Sequence, residues 1–152
     1  MSKFLIGIDT GTTTGFAIAC DSGRGGKIQE IKSLSITKAM ARTIELVNEH
    51  GKDNIKLFIE DPRKRTWFGD ADARQRRSGP GVREGIGSVK RDASIWEDWC
   101  KEQGLNYLMV HPAANKTKMD KTEFARYTGW TKTTSEHGRD AAMLVHQRFA
   151  KF

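Results

Sequence analysis

Ile6-Gly7-Ile8-Asp9-Thr10-Gly11-Thr12-Thr13-Thr14-Gly15-Phe16-Ala17-Ile18 is an apolar run that ends in an acid, crosses a glycine-rich turn and resumes as a second apolar run. The pattern predicts a β-hairpin whose first strand delivers Asp9 to the surface of a sheet. A carboxylate on a strand flanked by apolar residues is costly unless a cation or a hydrogen-bond donor meets it. What meets Asp9 must come from elsewhere in the chain.

Outward from the hairpin, residues 3–9 and 15–20 read as its strands and 21–26 as a turn cluster. Ile28, Ile31 and Leu34 alternate well enough with polar residues to predict a third, edge strand over 27–35. Thr37 reads as an N-cap with Ile36 as its staple, followed by a helix that carries Met40, Ile44 and Val47 on one face and stops near His50 at Gly51. Residues 55–60 form a strand again, ended by Pro62 and, coming after a helix, expected parallel to the first. A helix over about 88–103 carries the stripe Val89, Ala93, Trp96 and Cys100, with Ile95 and Trp99 beside it. Residues 105–110 read as a strand closed by His111-Pro112, 115–128 as a polar helix ended by Gly129, and 131–136 as a loop. A last helix from about His137 turns Ala141, Leu144 and Val145 inward. The order predicts one α/β domain over 1–152, a five-stranded mixed sheet of three antiparallel then two parallel strands with helices on both faces.

The 152 residues leave room for one core. No apolar run is long enough to span a membrane, and residues 1–6 lack a signal-peptide core, so a soluble, cytoplasmic protein is expected (in the host cytoplasm if it is viral). Two cysteines and four histidines make no metal-ligand spacing with one another, which suits a reducing compartment. Lysines and arginines number 26 against 19 acids, a net charge of +7 that favours polyanionic partners, nucleic acid first among them. Residues 61–87 concentrate that charge in Arg63, Lys64, Arg65, Arg74, Arg76, Arg77 and Arg83, with Trp67 and Phe68 among them and no helical or strand period. A loop of that length in a small domain is either functional or disordered.

Asp9 and Glu60 each end a strand, and neighbouring parallel strands would bring both to one edge. His137 and Asp140 lie three apart, on the helix face of Ala141 and Leu144 and in the first turn, where the dipole favours a carboxylate. Each is ordinary alone: a turn Asp, a strand-capping Glu, a helix-start His or Asp. Acids brought together raise one another's pKa unless a cation neutralises them, and Mg²⁺ or Mn²⁺ is the natural partner. Two such ions about 4 Å apart would clamp a phosphate, with Asp9 bridging them. Lys116, Lys118, Lys121, Arg126 and Lys132 follow; Lys118 or Lys121 could steady the phosphate's developing charge, or simply line an exposed helix face.

Ile6-Gly7-Ile8-Asp9-x-Gly-x-x-x-Gly15, Phe58-Ile59-Glu60 and His137-x-x-Asp140-Ala141-Ala142, in this order and at these gaps, resemble the RuvC family of Holliday-junction resolvases in the RNase H-like superfamily, and its phage-type members in length. His111-Pro112 and residues 124–129 are similar to the family's proline-ended strand and helix-glycine segment. The resemblance implies a homodimer, joined through the helix at about 88–103, that nicks two strands of a four-way junction symmetrically with two Mg²⁺ or Mn²⁺ ions per site. It assigns catalysis and metal binding to Asp9, Glu60, His137 and Asp140. It expects an aromatic wedge soon after Glu60, for which Trp67 or Phe68 would serve. DNA contacts are then expected from Arg63, Lys64, Arg65, Trp67, Phe68, Arg74, Arg76, Arg77, Lys118 and Lys121, and forks or flaps join junctions as branched substrates. The segment after Glu60 departs from the family in being longer and more basic, a phosphate grip that positions DNA without reading its sequence. Other readings are a related nuclease for RNA–DNA hybrids or structured RNA, and a non-catalytic junction-binding protein. The phosphate loop of sugar kinases and actin also resembles residues 7–13, but those proteins need a second such domain.

Overall fold

The computed structural model describes residues 2–21, 26–64, 80–115 and 118–152. β1 (Phe4–Asp9) and β2 (Thr13–Cys20) form the expected antiparallel hairpin, in register from Phe4↔Cys20 to Asp9↔Gly15. β3 (Lys27–Ser35) pairs antiparallel with β2. Its register jumps, Ala19 facing Ile28 and Ile18 facing Glu30, so Gln29 is the extra residue of a β-bulge. The bulge explains why Ile28 and Ile31, three apart, both pack on one side of the sheet.

Helix α1 (Ile36–His50) follows with no loop, because the last strand residue is also the cap. Ser35 holds extended dihedrals and its hydroxyl accepts from the Lys38 N–H, so the cap lies two residues before the expected Thr37. Ala39, Thr43 and Leu46 form the buried face of α1, one residue round from the expected stripe, while Met40 and Val47 pack at its margin. β4 (Ile55–Glu60) lies parallel to β1, and β5 (Asn106–Val110) parallel to β4, giving the order β3-β2-β1-β4-β5.

Between β4 and β5, helix α2 (Pro80–Gln103) begins eight residues before position 88. Its early glycines blank out the apolar period, and proline is tolerated in a first turn because its missing N–H would go unused there. α3 (Lys121–Thr128) is shorter than the 115–128 expected. A 3₁₀ turn over Pro112–Ala114 and a left-handed Lys118 (φ 65°) precede it, and Asp120 caps it by accepting from the Glu123 N–H. α4 (Glu136–Val145) is capped by Ser135 and ends before Gln147, whose φ of 55° no right-handed helix admits.

The sheet separates two cores. Phe4, Ile6, Ile8, Leu57 and Ile59 meet α1 and α2, including the buried Trp96. Leu5, Ala17, Phe58 and Val110 meet α3 and α4, including Phe124 and Leu144. Helices thus cover both faces of a mixed α/β sheet. Among the described residues no helix is long and apolar enough to cross a membrane.

Candidate functional site

Two glycines seat α4. A Cβ built on Gly7 would stand 2.1 Å from the Ala141 carbonyl oxygen, and one on Gly15 would stand 2.0 Å from that of His137. Neither contact is possible for a real side chain, so only glycine lets the helix backbone come this close to β1 and β2. Gly15 also faces Asp9 across the ladder, with 2.9 Å between its would-be Cβ and that of Asp9. The hairpin glycine at 15 thereby fixes the first turn of α4 directly over Asp9.

There the His137 Nδ1 stands 3.1 Å from Asp9 Oδ2. Burial pushes the Asp9 carboxyl up to about 6; the His137 hydrogen bond opposes the rise and the charge of Asp140 adds to it. Asp140, itself buried, is also raised by burial, against the Lys118 backbone N–H that its Oδ1 accepts at 3.0 Å. Glu60 reaches the same edge. Ile8 pairs with Ile59, so the next residues along the two parallel strands are Asp9 and Glu60. Strand alternation turns Glu60 to the face of Phe58 and Asp9 to the face of Leu5, which is the α4 face. One carboxylate oxygen of Glu60 is buried, and the Thr10 hydroxyl donates to the Glu60 carbonyl at 3.3 Å, tying the two strand ends together.

Four sequence-predicted ligands therefore share one face at one sheet edge. In chemistry the set fits a hard divalent cation, being three carboxylates and an imidazole, with a half-buried Asp9 whose ionised form a cation would favour. In placement, Asp9 and His137 touch, and among the described residues no three His, Cys, Asp or Glu side chains stand close enough to hold a metal ion.

Asn115, Lys118 and Met119 border the site and are tied to α4 at several points. Asn115 Nδ2 donates to the Asp140 carbonyl at 3.1 Å. The buried Arg139 donates from Nε to the Met119 carbonyl at 2.8 Å and from Nη1 to Thr134. These latches hold Lys118 in its left-handed conformation, which costs a non-glycine residue about 1 kcal/mol or more. The Lys118 ammonium lies exposed, 3.0 Å from Glu136 Oε1, which raises the lysine's pKa and lowers that of Glu136. Arg139 and Asn115 escape sequence reading, since an arginine in a helix reads as surface. Gly7 and Gly15 had a signal, because a glycine inside a strand marks close backbone approach.

The other expected DNA contacts divide. Arg63 is engaged within the fold: Nε and Nη2 donate to the buried Asp61 at 2.8 and 2.9 Å, Nη2 to Glu97 at 2.9 Å and Nη1 to Ser94 at 3.0 Å. Burial would push Asp61 up, but the Arg63 guanidinium and backbone N–H outweigh it and hold the carboxyl low. Lys64 Nζ donates to the Met109 carbonyl at 2.8 Å. Lys121 lies exposed in the first turn of α3. Arg65, Trp67, Phe68, Arg74, Arg76 and Arg77 lie outside the described residues, as does Lys116. The chain matches no protein-family model, and no curated protein sequence matches it.

Proposed function

We propose that this chain is a metal-dependent endodeoxyribonuclease of the RNase H-like, RuvC type, cutting branched DNA with four-way junctions as the principal substrate. The observation that carries the reading is that Asp9, Glu60, His137 and Asp140 lie on one face at one end of the sheet, with Asp9 and His137 3.1 Å apart. The net charge of +7 supports a polyanionic substrate.

Asp9, Glu60, His137 and Asp140 would hold Mg²⁺ or Mn²⁺, two ions per site, which when bound supply an activated water and stabilise the leaving oxygen. With its carboxyl near 6, Asp9 is mostly ionised at neutral pH and can only accept. In that form it accepts the hydrogen bond from His137 Nδ1. The Lys118 ammonium, exposed and paired with Glu136, would meet the non-bridging phosphate oxygens. Ile95 on α2 is one of the exposed large apolar side chains, and it supports a homodimer joined through that helix.

The test is Asp9→Asn, with cleavage of a labelled four-way junction and of an RNA–DNA hybrid measured in parallel, with and without Mg²⁺. The variant is expected to lose cutting and keep junction binding, because the phosphate grip lies elsewhere. Unchanged cleavage by the variant removes this site from the reaction. Preferential cutting of the hybrid moves the substrate from branched DNA to RNA–DNA duplex.

A further inference from the structure

At the far end of α4 from Asp9 and His137 lies a cleft that the nuclease site does not use. It has a volume of about 120 Å³ and is lined by Gly26, Lys27, Ile28, Thr128, Trp130 and His146, with Gly129 completing the wall. Gly26 and Gly129 both hold left-handed backbone, at φ 86° and 80°. A Cβ on Gly129 would meet nothing within 4 Å, so this glycine serves the turn and not the packing. Pockets for whole drug-sized ligands run to about 300 Å³ and more, so this one takes a single ring system.

The surroundings specify what kind of ring. Tyr127, at 55% exposure a bare aromatic surface, stands edge-on to His146 with ring centroids 5.3 Å apart. The Lys132 ammonium lies over the Trp130 ring at 5.4 Å. Burial holds the His146 imidazole below its ordinary range, so near neutral pH it is uncharged and can both give and accept a hydrogen bond. None of the lining side chains is acidic, Lys27 lies on the rim, and Arg126 and Lys132 are exposed close by in the chain. Aromatic surface interleaved with cations is how proteins hold single-stranded nucleic acid, the bases stacking and the phosphates pairing.

We propose that this cleft docks one unpaired nucleobase of a single-stranded DNA segment, with the base at the cleft mouth on the His146 side, where Tyr127 adjoins the lining without being part of it, and its flanking phosphates on Lys27 and Lys132. The inference rests on the nucleic-acid reading above and adds a second contact to it. Both sites lie on the same face of the sheet, separated by the ten residues of α4, about 15 Å at the helical rise. That distance is roughly four nucleotides of one strand at duplex spacing. A strand leaving the site could reach the cleft once it is no longer paired, which would favour substrates with an unpaired segment near the branch.

The test is binding of a fluorescent oligothymidylate, and of a duplex of the same length, to the full chain in EDTA. Tyr127→Ala is expected to weaken oligothymidylate binding by about 5- to 100-fold, the range for loss of one stacked base, and to leave the duplex affinity unchanged. Tyr127→Phe, which keeps the ring, is expected to bind like the wild type, and Lys132→Ala to reduce the salt dependence by about one phosphate contact. An oligothymidylate carrying 5-iododeoxyuridine should crosslink to peptides containing Tyr127, Trp130 or His146. Equal losses on both probes, no loss from Tyr127→Ala, or crosslinks confined to other segments would overturn the proposal. Tyr127-dependent binding by a chain that cuts no DNA keeps the cleft and removes the nuclease reading. Junction cutting with Tyr127-independent binding does the reverse.

Discussion

The two faces of the sheet are packed by different means. On the α1 and α2 side, large side chains fill the space: Phe4, Ile6, Ile8, Phe16, Leu57, Ile59 and Trp96 are all buried there. On the α4 side, Gly7 and Gly15 lie against the helix backbone, with Ala17, Ala19, Ala141 and Ala142 buried around them. Bulky packing sets the helix well off the sheet and tolerates some repacking. Contact between glycine and backbone sets the distance almost rigidly. The face with the fixed distance is the one that carries Asp9, Glu60, His137 and Asp140. Placing polar groups to within a fraction of an ångström, as catalysis demands, is better served by backbone contact than by side-chain filling.

Substitutions on the two faces should therefore fail in different ways. Trp96→Ala empties the largest fully buried side chain among the described residues and should cost about 3–5 kcal/mol in urea unfolding, while the molecules that stay folded keep the proposed cutting rate. Gly15→Ala should cost less stability, about 2–3 kcal/mol, yet lower cleavage about 100-fold per folded molecule, because α4 must back away from Asp9. If both variants lost activity only in proportion to their unfolding, the contrast between the faces would collapse.

Arg63 sharpens the same contrast at the start of the basic segment. Arg63→Ala strands the buried Asp61 carboxylate and should cost about 1–3 kcal/mol in urea unfolding, whereas a purely DNA-contacting arginine would cost almost nothing. The smallest effect concerns His146. Its folded pKa lies below the ordinary 6.5, so the unfolded chain binds the proton more readily. Its contribution to stability is intact above pH 6.5 and is lost as pH falls from there toward the folded value. His146→Gln should flatten that part of the melting temperature against pH. An identical slope in the variant would show that the imidazole is not held neutral by burial.

Much of this arrangement was legible in the order of residues. The hairpin, the parallel return at 55–60 and the edge strand all follow from alternation and from glycine and proline punctuation, which are local signals. The bulge at Gln29 left a trace in the odd spacing of Ile28 and Ile31, but only pairing with β2 shows where the extra residue sits. Ser35 was hidden as a cap because strand and helix share it. Arg63 shows the limit most plainly. In a basic run it reads as a phosphate contact, yet Ser94 and Glu97, 31 and 34 residues away, join Asp61 in holding it. The candidate ligands were found because acids at strand ends and at a helix start are few and their order is informative. The hydrogen bonds of Arg139 and Asn115 go to backbone carbonyls, which the sequence does not distinguish.

A crystal of the chain soaked in Mn²⁺ and measured at the manganese absorption edge would test the site most directly. The expected result is anomalous density between Asp9, Glu60, His137 and Asp140, with His137 turned from Asp9 toward the ion or bridging to it. Manganese bound elsewhere, with Asp9 and His137 still paired and no density between the four side chains, would contradict it.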